Sequence, residues 1–485
     1  MTHQVTALRT KECVPVSARR PAYLDEAISS RSGAGTVALS ALPHFGYASF
    51  VDSLTGLYSR ADLAERAQHL LKTGHASGVA LLLINLDGFS KVNDIAGYDL
   101  GDRVLRSVAR RLAGFMDQHD LLARIGGDEF VIVVDDRGDA AALGEFARRV
   151  LDLFAAPFEI AGREYHVGAS IGIARPLDDA HDAAALMRNA GLAMRRAKQC
   201  GRGRVHFFTE DMQDDLRRRL RIEALLRHAL AAGELKLAYQ PVFDSVSHEP
   251  VGAEALLRWT NSEFGDVPPA EFIPIAEETG LMESIGDWVL QQACAQAAQW
   301  RWSVAPSFTV SVNVSPVQFN ERFVQRVAAC LECTGLEASA LQLEITESML
   351  MPDSGDVAAT TKALSNLGVK LAIDDFGTGY ASLAYLKRFA LHNLKIDRLF
   401  VADLPHSRDS IAITHAIVAM AHTLGMTVTA EGVETCDQAA ALREMGCDML
   451  QGYLFSPATS PAELAKALSG ANSGNKRRAS GLTNL

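Results

Sequence analysis

The sequence of 485 residues lacks long apolar runs. No stretch reaches the roughly 18 to 20 apolar residues that a membrane-spanning helix needs. The N-terminal segment MTHQVTALRTKECVPVSARR also lacks the apolar core of a signal peptide. We therefore predict a cytoplasmic protein without a membrane span.

An excess of positive charge is also missing. The chain has 58 acidic and 47 basic residues, for a net charge of -11, which argues against a broad basic surface for the nucleic-acid backbone. Cysteine is scarce: of the seven, Cys330 and Cys333 form a C-x-x-C without a second pair or a nearby histidine pair. We predict no nucleic-acid polymer as partner, and neither a disulfide framework nor a zinc site.

Two patterned blocks lie between unpatterned ends. Residues 1–45 and 469–485 show no period, which predicts a flexible leader and a flexible tail. Over 46–208, helical patterns alternate with the runs GVALLLINLD, ARIGGDEFVIVV, YHVGASIGIARP and RVHFF, which predicts one mixed α/β domain. A charged amphipathic stretch over 209–232 predicts a joining helix.

The second block, residues 233–468, repeats a strand-like run eight times. The runs are LKLAYQPV, EPVGAEALLRW, FTVSVNVS, LQLEITES, VKLAIDDFG, HNLKID, MTVTAEGVE and DMLQGYLF, and most later gaps can hold a helix. This pattern predicts a (β/α)8 barrel, so the whole chain is of the α/β class. Only FDSVSH separates the first two runs, which is too short for a parallel crossover. We therefore expect the first strand to be antiparallel to the second.

Polar residues recur at or near the C-terminal ends of these runs, where barrels build their active sites. They are Glu254, Asn313, Glu344, Asp374, Asp375, Lys395, Glu431 and Gln451. One such acid alone is usually a helix cap, but converging carboxylates repel unless cations compensate them. The set predicts one or two divalent ions with oxygen ligands, Mg²⁺ or Mn²⁺. Lys395 would then stabilise a nucleophilic water or an oxyanion, and Glu431 would accept the water's proton.

Several motifs identify the families that these blocks resemble. EALLR, SVNVS, LEITES, DDFGTGY, LKID, AEGVE and QGYLF closely resemble the EAL family of bacterial cyclic di-GMP phosphodiesterases. DSLTGLYSR, NLDGFSKVND and RIGGDEF resemble the GGDEF family of diguanylate cyclases. The resemblance implies a signalling enzyme that hydrolyses one of the two phosphodiesters of cyclic di-GMP and releases linear pGpG. It also implies a homodimer, because related barrels commonly pair beside the DDFGTGY loop.

The resemblance assigns a role to each matching position of the barrel. It implies that Glu254, Asn313, Glu344 and Asp374 are metal ligands, that Asp375 bridges to a second ion, that Lys395 assists the water, and that Glu431 is the general base. It further implies that Glu347 supports the DDFGTGY loop, that Arg258 contacts a phosphate, and that Gln240 and Gln451 seat the nucleotide. Two ions about 3.5 to 4 Å apart would lower the pKa of a bridging water. Pro457, one place earlier than usual, leaves the last loop's shape open.

The front domain matches its family less completely. The turn RIGGDEF carries Asp128 and Glu129, but Asn85 replaces the acid expected as third metal ligand, and Ser90 replaces the lysine expected at the triphosphate. Gly191 stands where an acid is usual, and the inhibitory R-x-x-D lacks its arginine at residues 117–120. The GTP-binding positions are otherwise retained: Asn93, Asp102, Asp128, Glu129, Lys198 and Arg202. We predict a domain that binds GTP without condensing it.

Three alternatives stay open at this point. The chain is a phosphodiesterase with GTP as an allosteric ligand, a bifunctional cyclase and phosphodiesterase, or a non-catalytic receptor for cyclic di-GMP or GTP. In the first case, bound GTP would order the hairpin at Asp128 and Glu129 and act through the helix around residues 216–231. The simplest role for the front domain would be to support dimerisation or folding without binding GTP as a signal.

Overall fold

A computed structural model describes residues 51–73, 79–134, 139–160, 162–176, 182–303, 305–350, 355–377 and 388–469. The predicted leader, 1–45, and the predicted tail beyond residue 469 lie outside these ranges. The chain divides into two compact units, Met1–Leu216 and Arg217–Leu485. Among the described residues, no helix combines the length and the apolar character that a membrane span requires.

The first unit is a mixed α/β domain, as predicted. In chain order its elements are α1 (Arg60–Thr73), β1 (Ala80–Asp87), α2 (Phe89–Ala96), α3 (Tyr98–Ala113), β2 (Leu121–Gly126), β3 (Glu129–Val134), α4 (Ala140–Asp152), β4 (Phe158–Ile160), β5 (Arg163–Tyr165), β6 (Gly168–Ala174), α5 (Ala183–Gln199) and β7 (Val205–Phe207). The sheet has the order β2-β3-β1-β6-β7, and only β6 and β7 are parallel. The hairpin β4–β5 was not predicted, because three-residue strands show too little alternation.

Strand β1 is the centre of this domain. Its residues Leu82 and Ile84 pack into one apolar cluster with α3 and α4, whereas Leu81 and Leu83 pack into another with α1 and α5. Burial on both faces explains why the run is apolar throughout rather than alternating. Its pairing with β3 ends where Asn85 lies opposite Glu129, beside the β2–β3 turn.

A helix and a barrel make up the rest of the chain. Helix α6 (Glu210–Ala229) falls within the segment predicted to join the domains, and β8 (Leu235–Asp244), β9 (Pro250–Asn261), β10 (Gly265–Val267), α7 (Pro269–Glu278) and α8 (Met282–Ser303) follow. Next come β11 (Thr309–Asn313), α9 (Glu321–Thr334), β12 (Leu341–Thr346), α10 (Gly355–Asn366), β13 (Lys370–Phe376) and β14 (Asn393–Ile396). The last elements are α11 (Arg398–Val401), α12 (Arg408–Thr423), β15 (Thr427–Ala430), α13 (Cys436–Glu444), β16 (Met449–Leu450) and a helix over 461–469.

The barrel closes through its first strand. Strands β9, β11, β12, β13, β14, β15 and β16 pair in parallel in that order, and β8 pairs antiparallel with both β9 and β16. The predicted antiparallel hairpin and the eight-stranded barrel are therefore confirmed. Strand β10 is an addition that, among the described strands, pairs with β9 alone. Since the parallel strands run in one direction, their C-terminal ends meet at one end of the barrel.

Candidate active site

The strands bring the predicted site residues of the barrel to one end. Glu254 lies on β9, Asn313 on β11, Glu344 on β12, Asp374 and Asp375 on β13, Lys395 on β14, Glu431 directly after β15, and Gln451 directly after β16. Gln240 on β8 lies opposite Glu254 in the antiparallel register. Side chains far apart in the sequence thus converge as the sequence pattern predicts.

Lys395 is the centre of the site. Its side chain is 2% exposed, and Nζ lies 2.6 Å from Glu344 Oε2, 2.6 Å from Glu431 Oε1, 3.1 Å from Asp374 Oδ1 and 3.4 Å from Glu254 Oε2. Four carboxylates from four strands therefore share one ammonium group. The sequence predicts that Lys395 stabilises a nucleophilic water or an oxyanion, and the structure adds that Lys395 is a counter-ion shared by four carboxylates.

Burial and neighbouring charge shape the pKa values around Lys395. Burial opposes its charged form, but Glu254 and Glu344 raise the pKa of Lys395 well above its usual range. Burial also opposes ionisation of Glu254, but Lys395 and the amide of Gln451 outweigh it and lower the pKa. At Glu344 burial prevails, helped by repulsion from Glu254, and raises the pKa well above its usual range.

Three acids crowd the other side of the site. Asp374, Asp375 and Glu431 offer oxygen atoms within 4.8 Å of one another, a group with the spacing of a metal site. Burial raises the pKa of Glu431 to about 7, and burial together with Asp374 raises the pKa of Asp375 to about 6. Asp375 also has a φ of 54°, which is unusual for a residue other than glycine and is typical of functional positions.

Side-chain amides hold Glu254 from both sides. Asn313 Nδ2 donates to Glu254 Oε1 at 2.6 Å, and Gln451 Nε2 donates to Glu254 Oε2 at 2.7 Å. Gln451 Nε2 also lies 3.2 Å from Gln240 Oε1, so the three predicted amide positions form one connected group. Gln451 Oε1 is buried and accepts no hydrogen bond from the described residues, which leaves an acceptor for a ligand.

Glu347 and Arg258 are the two remaining predicted positions of the barrel. Glu347 Oε2 accepts a hydrogen bond from the backbone N–H of Gly377 at 3.0 Å, where the DDFGTGY loop begins. The rest of that motif, residues 378–380, lies outside the described residues. Arg258 lies four residues beyond Glu254 on β9, and its Nη1 donates to the carbonyl of Leu257 at 2.9 Å. Among the described residues, no ion pair joins Arg258 to the carboxylates around Lys395.

Sequence reasoning missed a set of polar residues beneath the site. Gln342 Nε2 donates to Ser311 Oγ at 3.0 Å and lies 3.4 Å from Glu344 Oε1. Asn393 Nδ2 donates to Thr427 Oγ1 and Thr429 Oγ1 at 3.0 and 3.1 Å. A signal was present, because Ser311, Gln342, Asn393 and Thr429 each stand two residues before a predicted site residue, on the same face of a strand.

The front domain presents a smaller polar group at its turn. Asn85 Nδ2 donates to Asp128 Oδ1 at 3.1 Å, and Asn85 pairs with Glu129 in the sheet register. Gly126 and Gly127 form the turn with φ values of 136° and 51°, which side chains rarely adopt. The structure thus gathers Asn85, Asp128 and Glu129, with an amide hydrogen bond in place of a third acid.

The other predicted GTP-binding residues are more dispersed. Asn93 packs against Gly101, since a Cβ at Gly101 would meet Asn93 Oδ1 at 2.0 Å, and Asp102 is the next residue. Lys198 lies in the last turn of α5 and Arg202 just after it. Within the part of the chain that the structure describes, no hydrogen bond or ion pair joins Lys198 or Arg202 to Asp128 or Glu129.

Comparison with protein families agrees with both blocks. A model described as EAL domain matches residues 223–458, and one described as Diguanylate cyclase, GGDEF domain, matches residues 49–204. The two matches follow each other along the chain in the order that the motifs predict.

Curated proteins and solved structures extend the comparison. The chain is 40% identical over 409 residues to the bifunctional diguanylate cyclase/cyclic di-GMP phosphodiesterase MucR of Pseudomonas aeruginosa, covering 83% of this chain and 59% of MucR. It is 38% identical over 408 residues to the cyclic di-GMP phosphodiesterase NbdA of the same species, covering 84% and 52%. The EAL enzyme Bd1971, solved with cAMP and cyclic di-GMP, matches with 27% identity and a TM-score of 0.51, over 70% of this chain and 81% of that one. The chain spans about half the length of the curated relatives it matches.

Proposed function

Because the chain belongs to the family of tandem GGDEF–EAL proteins, we propose that its barrel hydrolyses cyclic di-GMP to linear pGpG. The observation that carries this proposal is the cluster of four carboxylates around Lys395, each of which is a site residue predicted from the sequence. The relatives NbdA and MucR are named as phosphodiesterases of this dinucleotide. A barrel that only bound the dinucleotide would not need a buried acid set of this size, whose members repel one another.

The residues of the cluster suit divalent ions. The proposed ligands are Glu254, Asn313, Glu344, Asp374 and Asp375, all of which offer the hard oxygen atoms that Mg²⁺ and Mn²⁺ prefer. Asp374 Oδ1 is buried and, although 3.1 Å from Lys395 Nζ, lacks a hydrogen bond from the described residues. When all five carboxylates (Glu254, Glu344, Asp374, Asp375 and Glu431) are ionised beside the one ammonium group of Lys395, four net negative charges remain, the number that two divalent ions neutralise. Such ions, when bound, activate water and neutralise charge on a phosphodiester.

The chain's own groups perform the remaining steps. Glu431 accepts the proton of the attacking water, and Lys395, 2.6 Å from Glu431 Oε1, stabilises the negative charge that develops. Arg258 contacts a phosphate of the substrate at the mouth of the barrel. Gln240 and Gln451 hold the nucleotide, the latter through its unused Oε1. Glu347 fixes the start of the adjacent loop.

The direct test of this proposal is release of pGpG by the purified full chain. With cyclic di-GMP and Mg²⁺, we expect pGpG as the product, and removal of divalent ions with EDTA should abolish its release, because the cluster then lacks the charge that neutralises the phosphodiester. Adding excess Mg²⁺ or Mn²⁺ back to the same sample controls for damage by the chelator. Equal turnover in EDTA would contradict the metal-dependent proposal.

For the front domain we propose GTP binding without condensation. The support is local: Asn85, which carries no charge, donates to Asp128 where a third acid would otherwise bind metal, and Ser90, at the start of α2, is exposed. Asn93, Asp102, Lys198 and Arg202 would contribute the contacts to the nucleotide. A homodimer in the cytoplasm, where GTP and nucleotide messengers occur, belongs to the same proposal.

GTP should raise hydrolysis by the barrel if the front domain is a sensor. Allosteric couplings of about 1 to 3 kcal/mol change substrate affinity roughly 5- to 150-fold, so the apparent affinity for cyclic di-GMP should rise within this range. The measurement is pGpG release against GTP concentration in wild type and in Asp102→Ala. Activation that is lost in Asp102→Ala supports the sensor, and a flat response in both proteins leaves a folding or dimerisation support.

Bifunctionality is the second candidate function, and one observation favours it. MucR, which is 40% identical over 409 residues, is named as a bifunctional cyclase and phosphodiesterase. Asn85 and Ser90 weigh against this candidate, since both weaken the contacts to metal and triphosphate. Synthesis of cyclic di-GMP from GTP by the wild-type protein would decide in favour of the bifunctional reading.

A further inference from the structure

Two polar groups lie beneath the carboxylate cluster, toward the N-terminal ends of the strands. The first consists of Ser311 and Gln342, and the second of Asn393, Thr427 and Thr429. Both consist of hydroxyl and amide side chains, but among the described residues only the first group reaches a predicted metal ligand. The first group can therefore act on the site, whereas the second contributes to packing of the barrel.

The contact between Gln342 and Glu344 distinguishes the two oxygens of that carboxylate. Oε1 faces the amide of Gln342 at 3.4 Å, whereas Oε2 lies 2.6 Å from Lys395 Nζ, inside the cluster. The terminal torsion of a glutamate is broad and roughly two-fold, so the carboxylate has little orientation of its own. Gln342 Nε2 is itself fixed by Ser311 Oγ at 3.0 Å. Gln342 at Oε1 and Lys395 at Oε2 therefore fix together how Glu344 points into the cluster.

We propose that Gln342, anchored by Ser311, is a positioning residue that orients Glu344 for a divalent ion. The inference rests on the proposed function, because it takes Glu344 as a metal ligand. Groups that hydrogen-bond metal ligands fix their orientation, and their loss typically lowers metal affinity or activity 10- to 100-fold. Neither residue touches the substrate or the reacting atoms in this assignment.

The second polar group supplies a matched control. Asn393 is 1% exposed and stands two residues before Lys395, as Gln342 stands two residues before Glu344. Its amide donates only to Thr427 and Thr429 among the described residues and reaches none of the clustered carboxylates. Replacing Asn393 therefore perturbs a buried polar contact of the same barrel layer without changing the orientation of a ligand.

The test measures metal binding rather than turnover. The full chain is titrated with Mn²⁺, and free Mn²⁺ is followed by electron paramagnetic resonance in wild type, Gln342→Met and Asn393→Leu. Methionine keeps the length of glutamine but cannot donate a hydrogen bond. We expect Gln342→Met to weaken Mn²⁺ affinity about 10- to 100-fold, and Asn393→Leu to lower thermal stability while leaving Mn²⁺ affinity unchanged.

Ser311→Ala keeps the test decisive if Gln342→Met does not fold. It removes the anchor of the Gln342 amide without adding volume, and we expect a smaller loss of affinity in the same direction. Unchanged affinity in Ser311→Ala and in folded Gln342→Met, or an equal loss in Asn393→Leu, overturns the inference alone. Failure of the wild-type protein to bind Mn²⁺ would instead overturn the proposed metal site and the inference with it.

Discussion

Replacing Asp374 with alanine is expected to abolish pGpG release from cyclic di-GMP while the barrel stays folded. Asp374 lies between Lys395 and the acids Asp375 and Glu431, and a water molecule in its place would bring no negative charge for a divalent ion. Lys395 keeps three other carboxylate partners, so the substitution leaves no buried cation unpaired. Activity is measured as pGpG release in Mg²⁺, and folding as the melting temperature of the metal-free protein.

The melting temperature shows whether Asp374→Ala loses activity through loss of a ligand or through unfolding. Since the clustered acids repel one another, losing one should leave the metal-free melting temperature unchanged or raise it. Asp403→Ala, at an exposed acid on the same domain, serves as control and should retain wild-type activity. Glu254→Ala should also lose activity, but it removes the carboxylate that accepts from the amides of Asn313 and Gln451. Its effects on folding and on metal binding are therefore harder to separate than those of Asp374→Ala. Wild-type turnover in Asp374→Ala would contradict its assignment as a ligand.

The barrel could be predicted from local signals. Eight runs of strand pattern with helix-length gaps define it, and the short FDSVSH connection alone determines that β8 is antiparallel to β9. The end of the barrel that carries the site follows as well, because most of the polar site residues stand at or near the C-terminal ends of their strands. These predictions need only the periodicity of apolar residues and the lengths of the connections, and both can be read from a few neighbouring residues.

The distances inside the site could not be predicted in this way. Whether Lys395 approaches one acid or four depends on how neighbouring strands are offset, and strand alternation does not specify that offset. The positive φ of Asp375 is equally invisible in the sequence. Gln342 and Asn393 occupy equivalent positions two residues before a site residue, yet only Gln342 reaches a carboxylate of the cluster.

In the front domain, the sequence shows that an acid is replaced by Asn85, and the structure shows what Asn85 contacts. The substitution of an acid by Asn85 is plain from the resemblance, but its consequence is structural: the amide donates to Asp128 instead of leaving it to a metal. Asp87, two residues on, accepts hydrogen bonds from Ser170 Oγ and the backbone of Gly203, so this acid is also engaged in holding the fold. The turn is intact as a hairpin, and the role proposed for this domain is GTP binding without condensation.

Glu431→Gln is expected to lower the rate of hydrolysis about 10²- to 10⁴-fold while leaving cyclic di-GMP binding in place. Glutamine keeps the shape of the side chain and an oxygen that accepts from Lys395 Nζ, but it cannot take the proton of the attacking water. Although Glu431 lies with Asp374 and Asp375 in a group with the spacing of a metal site, we propose it as the base rather than as a ligand, so metal affinity should change little. The rate is measured as pGpG release at saturating substrate and the affinity by calorimetry with the same nucleotide.

Glu434→Gln, at an exposed acid three residues later, is the matched control and should hydrolyse at the wild-type rate. A Glu431→Gln protein that loses binding but keeps turnover per bound substrate would show that Glu431 holds the substrate rather than acting as the base.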